Sequence, residues 1–391
     1  MQSYKFRIYP TKEQEVKLTN MFGCSRFVWN YFLNLNKETY LEAKEKDLKK
    51  KYFNYYDCSG LLTKLKLENE WLKVANAQSL QQTLKTLDGA YNKFFEKKSG
   101  FPNFKSKRNK QSFRVPQDFK LFGNKIYCPK LKEGIKITVH REVEGNIKFV
   151  TIFKSKSGKY FASITTDHEV ARNRTGDNQV GIDLGAKTFA VLSNGEKFNY
   201  AFRVNDGKLK HLHKKLSNKV RGSNNRTKAR IKLAVFYERI TNKREDFQHK
   251  LSNKICKENE LIALEDLNIA GMAKNHNLAK VISNQGWYSF VSKLEYKALR
   301  YGSKILKTNR FYPSSKSCFE CGFINQELTL VEREWECPSC KSLLDRDLNA
   351  SKNILDQVMR EQNLTVKGGR DYRLKPVELP VLIGALKQEG F

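Results

Sequence analysis

The stretch CFECGFINQELTLVEREWECPSCKSLLDRDLNAS, residues 318–351, holds two Cys-x-x-Cys pairs and then, four residues further on, a DRD triplet. Fifteen residues separate the pairs, a spacing that is typical of a zinc ribbon. Four thiolates close the coordination of such a zinc ion, so the acids that follow need another explanation. The predicted zinc ligands are Cys318, Cys321, Cys337 and Cys340.

The net charge is the second feature that bears on function. The chain of 391 residues has 73 Lys and Arg against 41 Asp and Glu, which leaves a charge of +32. This excess destabilises a compact fold by self-repulsion unless a polyanion relieves it, so a nucleic acid partner is expected. A basic surface without a partner and a membrane surface are the alternatives, and the even spread of Lys and Arg disfavours the membrane.

The composition also indicates where the protein works. Hydrophobic residues make up 39% and aromatic residues 12% of the chain, which favours folded domains over disorder. The opening MQSYKFRIYP lacks the apolar core of a signal peptide, and no run of 18 apolar residues occurs. A reducing cytoplasm is therefore expected, where paired cysteines bind metal and the others fill cores: Cys24, Cys58, Cys128 and Cys256. Disulfides and an iron–sulfur cluster are the disfavoured alternatives for the pairs.

Three carboxylates stand where apolar segments end or a helix begins. Asp183 follows apolar residues in VGIDLG, Glu265 ends LIALE, and Asp347 precedes a predicted helix. Solvent-facing strand ends for the first two, and an N-cap or first-turn role for Asp347, are the alternatives. If the three converge, divalent ions such as Mg²⁺ or Mn²⁺ would relieve their repulsion. Two such ions activate water and stabilise the leaving oxygen, which is the chemistry of phosphodiester hydrolysis.

The periodicity of the chain predicts an α/β protein of several domains. Residues 11–98 have helical spacing, with Thr11 and Gln14 in capping-box positions. After residue 108, short β-branched and aromatic runs between turns predict antiparallel strands, which the N-terminal strand joins. QVGIDLGAKTFAVLSNGEKF predicts a hairpin, residues 208–257 predict a long basic helical segment, and WYSFVSKLEYKALRYG predicts a helix ended by Gly302. Between the cysteine pairs, QELTLVEREWE predicts a second hairpin.

In these motifs the chain resembles the TnpB family of transposon-encoded RNA-guided nucleases, which are related to type V CRISPR effectors. The resemblance runs over roughly residues 3–356, in the family's order. The matching stretches are YKFRIYPTKEQE, QSLQQTLKTLDGAYNKFFEKKSGFPNFKSK, GIDLGAKTFAVLSNG, NKREDFQHKLSNKI, ALEDLNIAGM, SSKSCFECG and DRDLNASKNIL.

The resemblance implies an RNase H-like (RuvC) nuclease domain with an inserted zinc ribbon, an OB-like β-barrel wedge domain and a helical recognition domain. The expected boundaries are 1–10 with 108–176 for the wedge, 11–107 for recognition, 177–310 with 342–364 for the nuclease, 311–341 for the ribbon and 365–391 for a tail that is disordered. It also implies that Asp183, Glu265 and Asp347 are the catalytic acids and the Mg²⁺ or Mn²⁺ ligands. Asp345 is a candidate supporting residue.

Two segments are predicted to contact nucleic acid. In PNFKSKRNKQSFR, basic side chains between aromatic ones suit phosphate contacts with stacking, against the alternative of a solvated linker. On the recognition helix, polar side chains are predicted to read base edges of the flanking DNA motif, although an ordinary polar helix face fits equally well. The predicted residues are Gln81, Gln82, Thr83, Lys85, Lys105, Lys107, Arg108 and Lys110.

The expected function is therefore an RNA-guided DNA endonuclease, whose target is read by base pairing and whose short flanking motif is read by protein. The expected partners are a guide RNA from the transposon end and double-stranded target DNA, with no membrane and no small-molecule substrate. The expected location is the nucleoid-associated cytoplasm of a prokaryotic cell. A nuclease-inactive RNA-guided repressor and a strand-transferring transposase are the alternatives.

Overall fold

The computed structural model describes residues 1–46, 52–168, 172–329 and 331–362, with the backbone alone at 270 and 276–278. The predicted disordered tail, 365–391, lies outside the described residues. The chain divides into two units. The first comprises Met1–Val170 and Asn205–Arg239, and the second comprises Ala171–Val204 together with the residues from Ile240 onward.

The first unit is built on an antiparallel sheet of seven strands. They are β1 (Gln2–Tyr9), β2 (Gln111–Val115), β3 (Lys120–Phe122), β4 (Lys125–Tyr127), β5 (Ile135–Thr138), β6 (Ile147–Lys154) and β7 (Tyr160–Thr166). Their order is β2-β6-β7-β1-β5-β4-β3, so the N-terminal strand lies inside the sheet as predicted. Within the described residues this order is linear, with β2 and β3 at the edges.

Three helices share a hydrophobic core with this sheet, and two of them contact its edge strand β2. They are α1 (Lys12–Glu45), α2 (Tyr55–Glu68) and α3 (Ala77–Phe95), with a 3₁₀ turn at Glu70–Val74. The predicted capping box is confirmed, since Thr11 accepts a hydrogen bond from the backbone of Gln14 and Gln14 bonds back to it. Alternate strand residues such as Phe6 and Phe113 point into the core, where Phe113 meets Phe22 of α1 at a ring distance of 5.4 Å.

The predicted helical segment over 208–257 consists of two helices. Helix α4 (Asp206–Ser217) ends before a turn, and α5 (Asn224–Glu258) begins after it. Gly222 in this turn has φ +89°, a conformation that side chains other than glycine rarely adopt. The uninterrupted basic composition of the segment hid this break, because one glycine is a weak signal inside a helical pattern.

The second unit has a mixed five-stranded sheet. Its strands are β8 (Asn178–Asp183), β9 (Ala190–Leu192), β10 (Lys197–Phe198), β11 (Asn259–Glu265) and β12 (Lys304–Thr308), in the order β10-β9-β8-β11-β12. Strands β8, β11 and β12 are parallel, whereas β8 to β10 form the predicted hairpin region. Helix α6 (Ile269–Met272), α7 (His276–Gln285) and α8 (Trp287–Tyr301) follow β11, and Gly302 ends α8 as predicted.

Helices pack on both faces of this second sheet. On one face, α8 and the end of α5 supply Phe290, Leu294 and Ile255 to a core with Ile182. On the other face lies α9 (Arg346–Glu361), which carries Ile354 and Val358 against β11. Because the sheet is covered on both faces, its central strands have continuous apolar runs in the sequence, VGI and LIAL.

One glycine sets how closely α9 approaches β8. A Cβ atom at Gly181 would lie 2.0 Å from the carbonyl oxygen of Ser351, so no larger residue fits there. The close contact brings the start of α9 towards the end of β8, two residues beyond Gly181.

The cysteine region forms a small ribbon of its own. Strands β13 (Glu334–Glu336) and β14 (Leu343–Asp345) pair across the second Cys-x-x-Cys, and Ser317 bridges to Ile324 across the first. The predicted hairpin within QELTLVEREWE is therefore wrong. Among its described residues only the last three form a strand, because each turn of the ribbon encloses one cysteine pair instead of lying between the pairs.

Candidate active site and cysteine cluster

Two of the three predicted acids end neighbouring parallel strands. Asp183 is the last residue of β8 and Glu265 is the last residue of β11, and Ile182 pairs with Leu264 just before them. The carboxyl ends of adjacent parallel strands meet at one edge of a sheet, the usual place for ligands in α/β folds. The third acid, Asp347, lies in the first turn of α9, the helix packed on β8.

Electrostatics shows that these three carboxylates interact. Burial, together with the negative charges of Glu265 and Asp347, raises the pKa of Asp183 to about 8, while Arg346 and Arg333 oppose the shift. Such repulsion among half-buried acids is costly unless cations compensate it. The oxygen donors of these acids suit hard divalent ions such as Mg²⁺ or Mn²⁺.

The two aspartates of the DRD triplet have different partners. Asp345 is the N-cap of α9, accepts a hydrogen bond from the amide of Leu348 at 2.9 Å, and pairs with Lys197 at 2.6 Å. Although burial acts to raise it, the bond from Lys197 lowers the pKa of Asp345. Asp347 instead pairs with Arg333 of the ribbon at 3.1 Å. Asp345 is thus held by structural contacts, whereas the charge of Asp347 is among those that raise the pKa of Asp183.

Two side chains that contact the acids were not predicted from the sequence. Arg333 contacts Asp347, and Ser314 donates a hydrogen bond from its hydroxyl to Glu265. Arg333 lies in a charged run, EREWE, that resembles a solvated strand, and Ser314 lies in a serine-rich loop. Neither contact follows from spacing along the chain, because each joins segments that only the fold brings together.

The four cysteines of the ribbon form one cluster. Their sulfur atoms all lie within 4.8 Å of one another, with 3.6 Å between Cys318 and Cys340 and between Cys321 and Cys337. A tetrahedron with zinc–sulfur bonds of about 2.3 Å has sulfurs about 3.8 Å apart, so the donors fit zinc. The remaining four cysteines are buried, as predicted for core residues.

The predicted residues of α3 differ in their access to solvent. Gln81 and Gln82 are half-buried and Lys85 is exposed, with its ammonium 4.9 Å from the Tyr55 ring. Thr83 is only 8% exposed, and its hydroxyl donates to the carbonyl of Ser79 at 3.1 Å. The helical period turns Thr83 towards the core, so Gln81, Gln82 and Lys85 remain as the side chains that a ligand reaches.

The predicted basic segment after α3 is exposed, but two of its lysines are held against aromatic rings. Lys105 lies 3.5 Å from the Trp29 ring and Lys110 lies 4.1 Å from the Phe153 ring. Lys107 and Arg108 are exposed. Cations placed on rings in this way are partly desolvated and fixed in position, which favours contact with an anion.

The outward face of the first sheet carries a basic and aromatic surface that the sequence analysis missed. We call it the basic face, and its members are Ser3, Lys5, Arg7, Arg114, Phe149, Thr151, Phe153, Phe161, Ser163 and Thr165. Residues that pair across four adjacent strands form one row of this face, in the order Arg114, Thr151, Ser163 and Lys5. None of the ten residues is acidic.

Cations of the basic face stack on its rings. Arg114 lies 4.0 Å from the Phe149 ring, and Lys5 lies 4.5 Å from the Phe161 ring. Phe153 and Phe161 stack on each other with ring centres 5.3 Å apart. Part of the face forms an open groove of about 460 Å³. Phosphates and unpaired bases are the groups that such a surface accommodates.

Within the described ranges, no helix has both the length and the apolar character needed to cross a bilayer.

Three family models match the chain. One described as "Probable transposase" (OrfB_IS605) covers residues 163–276, a helix-turn-helix domain of the same group covers 1–45, and the TNB domain of Cas12f1-like proteins covers 287–354. Together these matches include all three acids. Asp183 and Glu265 lie in the region matched by the transposase model, and Asp347 lies in the region matched by the TNB domain.

Two curated proteins are similar over nearly the whole chain. A "Putative RNA-guided DNA endonuclease" of Streptomyces pristinaespiralis is 34% identical, over 90% of this chain and 88% of that protein. The "Putative RNA-guided DNA endonuclease InsQ" of Escherichia coli K12 is 32% identical, over 97% of this chain and 98% of that protein.

A solved structure has a similar fold. The Cas12f1 chain in the cryo-EM structure of the Cas12f1-sgRNA-target DNA complex matches with a TM-score of 0.50 and 16% identity. The match covers 87% of this chain and 82% of that one. The predicted α/β class is thereby confirmed as a fold resembling this type V effector.

Proposed function

The chain belongs to the TnpB family, and on that premise we propose that it is an RNA-guided DNA endonuclease. It cuts DNA that is complementary to a bound guide RNA and lies beside a short flanking motif. The observation that carries the proposal is the grouping of Asp183, Glu265 and Asp347, where burial and the charges of the other two acids raise the pKa of Asp183 to about 8. A charge of +32 supports polyanionic partners.

The catalytic acids in this proposal are Asp183, Glu265 and Asp347, in a nuclease domain of RuvC type. Their carboxylates would hold two Mg²⁺ or Mn²⁺ ions, which when bound supply an activated water and stabilise the leaving oxygen of the phosphodiester. The chain's own part is to fix the acids. Strand ends hold Asp183 and Glu265, and the ion pair with Arg333 limits the repulsion on Asp347.

The four cysteines would hold zinc as a structural ion. The ribbon also contacts the start of α9 directly, since the amide of Arg346 donates to the carbonyl of Arg333 at 2.7 Å and Glu334 pairs with Asp345. Because Asp347 follows two residues later, the ribbon's geometry sets where this carboxylate lies. The zinc site thus supports catalysis by positioning and takes no part in the chemistry.

The binding partners in this proposal are a guide RNA from the transposon end and double-stranded target DNA. The wedge domain, 1–10 with 108–176, contains the basic face, whose cations and rings suit guide RNA phosphates and unpaired bases. The recognition domain, 11–107, presents Gln81, Gln82 and Lys85 for the flanking motif. The nuclease domain is 177–310 with 342–364, and the ribbon is 311–341. The place of action is the nucleoid of a prokaryotic cell.

The test is to purify the protein with its RNA, sequence that RNA, and offer DNA that matches its variable end. We expect one RNA species and Mg²⁺-dependent cleavage of matched DNA only. Binding of matched DNA without cleavage would favour the repressor, and joining of DNA ends would favour the transposase. Absence of a bound RNA would contradict the proposal.

A further inference from the structure

Ser314 occupies a junction between the elements that carry the acids. It lies six residues after the end of β12 and four before Cys318, and it is only 5% exposed. Its hydroxyl donates to Oε1 of Glu265. Within the part of the chain that the structure describes, Oε2 of Glu265 has no hydrogen-bond donor, so that oxygen remains for another ligand.

Two buried asparagines of α9 hold the backbone around Ser314. The side-chain amide of Asn353 donates to the carbonyl oxygens of Ser314 at 2.8 Å and of Ser317 at 2.6 Å. Asn349 also donates to the Ser317 carbonyl at 2.6 Å and accepts from the amide of Phe319 at 2.9 Å. Both asparagines are at most 3% exposed. The helix that begins beside Asp347 is thus bonded to the loop that reaches Glu265.

The other end of this loop is fastened beside Glu265 as well. The guanidinium of Arg310 donates to the side chain of Asp266 at 2.5 Å and to its carbonyl oxygen at 3.3 Å. Residues 310–314 therefore span from Asp266 back to Glu265, and the hydroxyl of Ser314 has little freedom to move away.

We propose that Ser314 is a positioning residue for Glu265. Through the hydrogen bonds of Asn349 and Asn353, it links the Glu265 carboxylate to the ribbon and to α9. This inference rests on the proposed function, because it concerns the acids of that site. A carboxylate that binds a cation through one oxygen is oriented by a donor on the other. A hydroxyl suits this task, since it donates without adding a positive charge that would compete with the cation.

The test compares Ser314→Ala, Ser314→Thr and Ser315→Ala in the purified RNA complex. Ser315 is the adjacent, partly exposed serine and serves as the matched control. The probe is Mn²⁺, which prefers the same oxygen ligands as Mg²⁺ and is followed by its paramagnetic signal. Mn²⁺ affinity, zinc per chain, Tm and the Mg²⁺ dependence of cleavage are measured for each variant.

We expect Ser314→Ala to weaken Mn²⁺ binding by about 10-fold to 100-fold, the usual effect of removing such a supporting bond. Cleavage falls at low Mg²⁺ and recovers in part at high Mg²⁺, while zinc content and Tm stay near the wild-type values. Ser314→Thr, which keeps the hydroxyl, recovers most of the affinity, and Ser315→Ala behaves as wild type.

Unchanged Mn²⁺ affinity in Ser314→Ala would overturn the inference, and so would loss of zinc or a large fall in Tm, which would indicate a purely structural role. A different outcome would contradict the proposed function itself. If the wild-type complex neither binds Mn²⁺ nor cuts matched DNA, the endonuclease itself is contradicted, whatever Ser314 does.

Discussion

The two sheets of this protein expose different chemistry because they are covered differently. The antiparallel sheet of the first unit buries one face, so alternate residues such as Lys5, Arg114 and Phe149 form an open basic face. The central strands of the second unit, β8 and β11, are covered on both faces by apolar residues, and each ends in an acid, Asp183 and Glu265. An open face suits binding of a long polyanion, whereas strand ends suit a small site that fixes a few groups.

The largest effect is expected from the strand-end acids. Asp183→Ala should lower cleavage by more than about a hundredfold, since a ligand to the catalytic ions supplies several kcal/mol of transition-state stabilisation. Binding of RNA and of matched DNA should change little. The measurement is single-turnover cleavage with binding in parallel, and Asp246→Asn, an exposed acid paired with Lys250, is the control. Full cleavage activity of Asp183→Ala in Mg²⁺ would contradict the catalytic role of the acids.

Loss of the zinc cluster should have the next largest effect. Cys337→Ser should lower cleavage by about a hundredfold with all three acids present, because a misplacement of about 1 Å is enough. Added Mg²⁺ should not restore activity, since it does not replace zinc among thiolates.

Cys128→Ser, at a buried cysteine outside the cluster, is the control for this variant. Zinc per chain and the cleavage rate at matched folded fraction are measured. A folded Cys337→Ser protein that cuts at the normal rate would show that the ribbon is dispensable.

A smaller effect is expected from the basic face. Lys5→Gln with Arg114→Gln should weaken guide RNA binding by about tenfold and lower the slope of log affinity against log salt by about 1.4, or about 0.7 per phosphate of a single strand. The control pair is Lys64→Gln with Lys66→Gln on α2, which contributes nothing to the face. Equal salt slopes for the two double variants would contradict a role of the basic face in RNA binding.

The smallest effect concerns stability without divalent ions. The pKa of Asp183 is raised from 3.8 to about 8 on folding, so its cost is absent below pH 3.8 and grows as the pH rises towards 8. Asp183→Asn should therefore raise Tm at pH 7, and the gain should shrink as the pH is lowered towards 4. Thermal melts in buffer free of Mg²⁺ measure this, again with Asp246→Asn as control. A variant less stable than wild type at pH 7 would contradict the repulsion among the acids.

Local patterns predicted the elements of the second unit well. The apolar runs before Asp183 and Glu265, the glycine that ends α8 and the spacing of Cys318 to Cys340 are all short-range signals. These signals predict the structure correctly because a strand, the end of a helix and a Cys-x-x-Cys turn are each specified within a few residues.

The basic face was not predictable in the same way. Lys5, Arg114, Thr151 and Ser163 come from four strands whose order, β2-β6-β7-β1, joins distant parts of the chain. Each strand alone shows only an ordinary alternation. Likewise, the hydroxyl of Ser314 meets Glu265 across 49 positions of sequence, and the burial of Thr83 depends on which side of α3 faces the core.

The central claim, that binding and chemistry reside in different sheets, is tested by one paired measurement. RNA affinity and the cleavage rate at saturating RNA and DNA are determined for Asp183→Ala and for Lys5→Gln with Arg114→Gln. We expect the first variant to lose cleavage rate with its RNA affinity intact, and the second to lose RNA affinity while its saturated rate stays within about twofold of wild type. If the acid variant loses RNA affinity, or the face variant loses its saturated rate, the claim is contradicted.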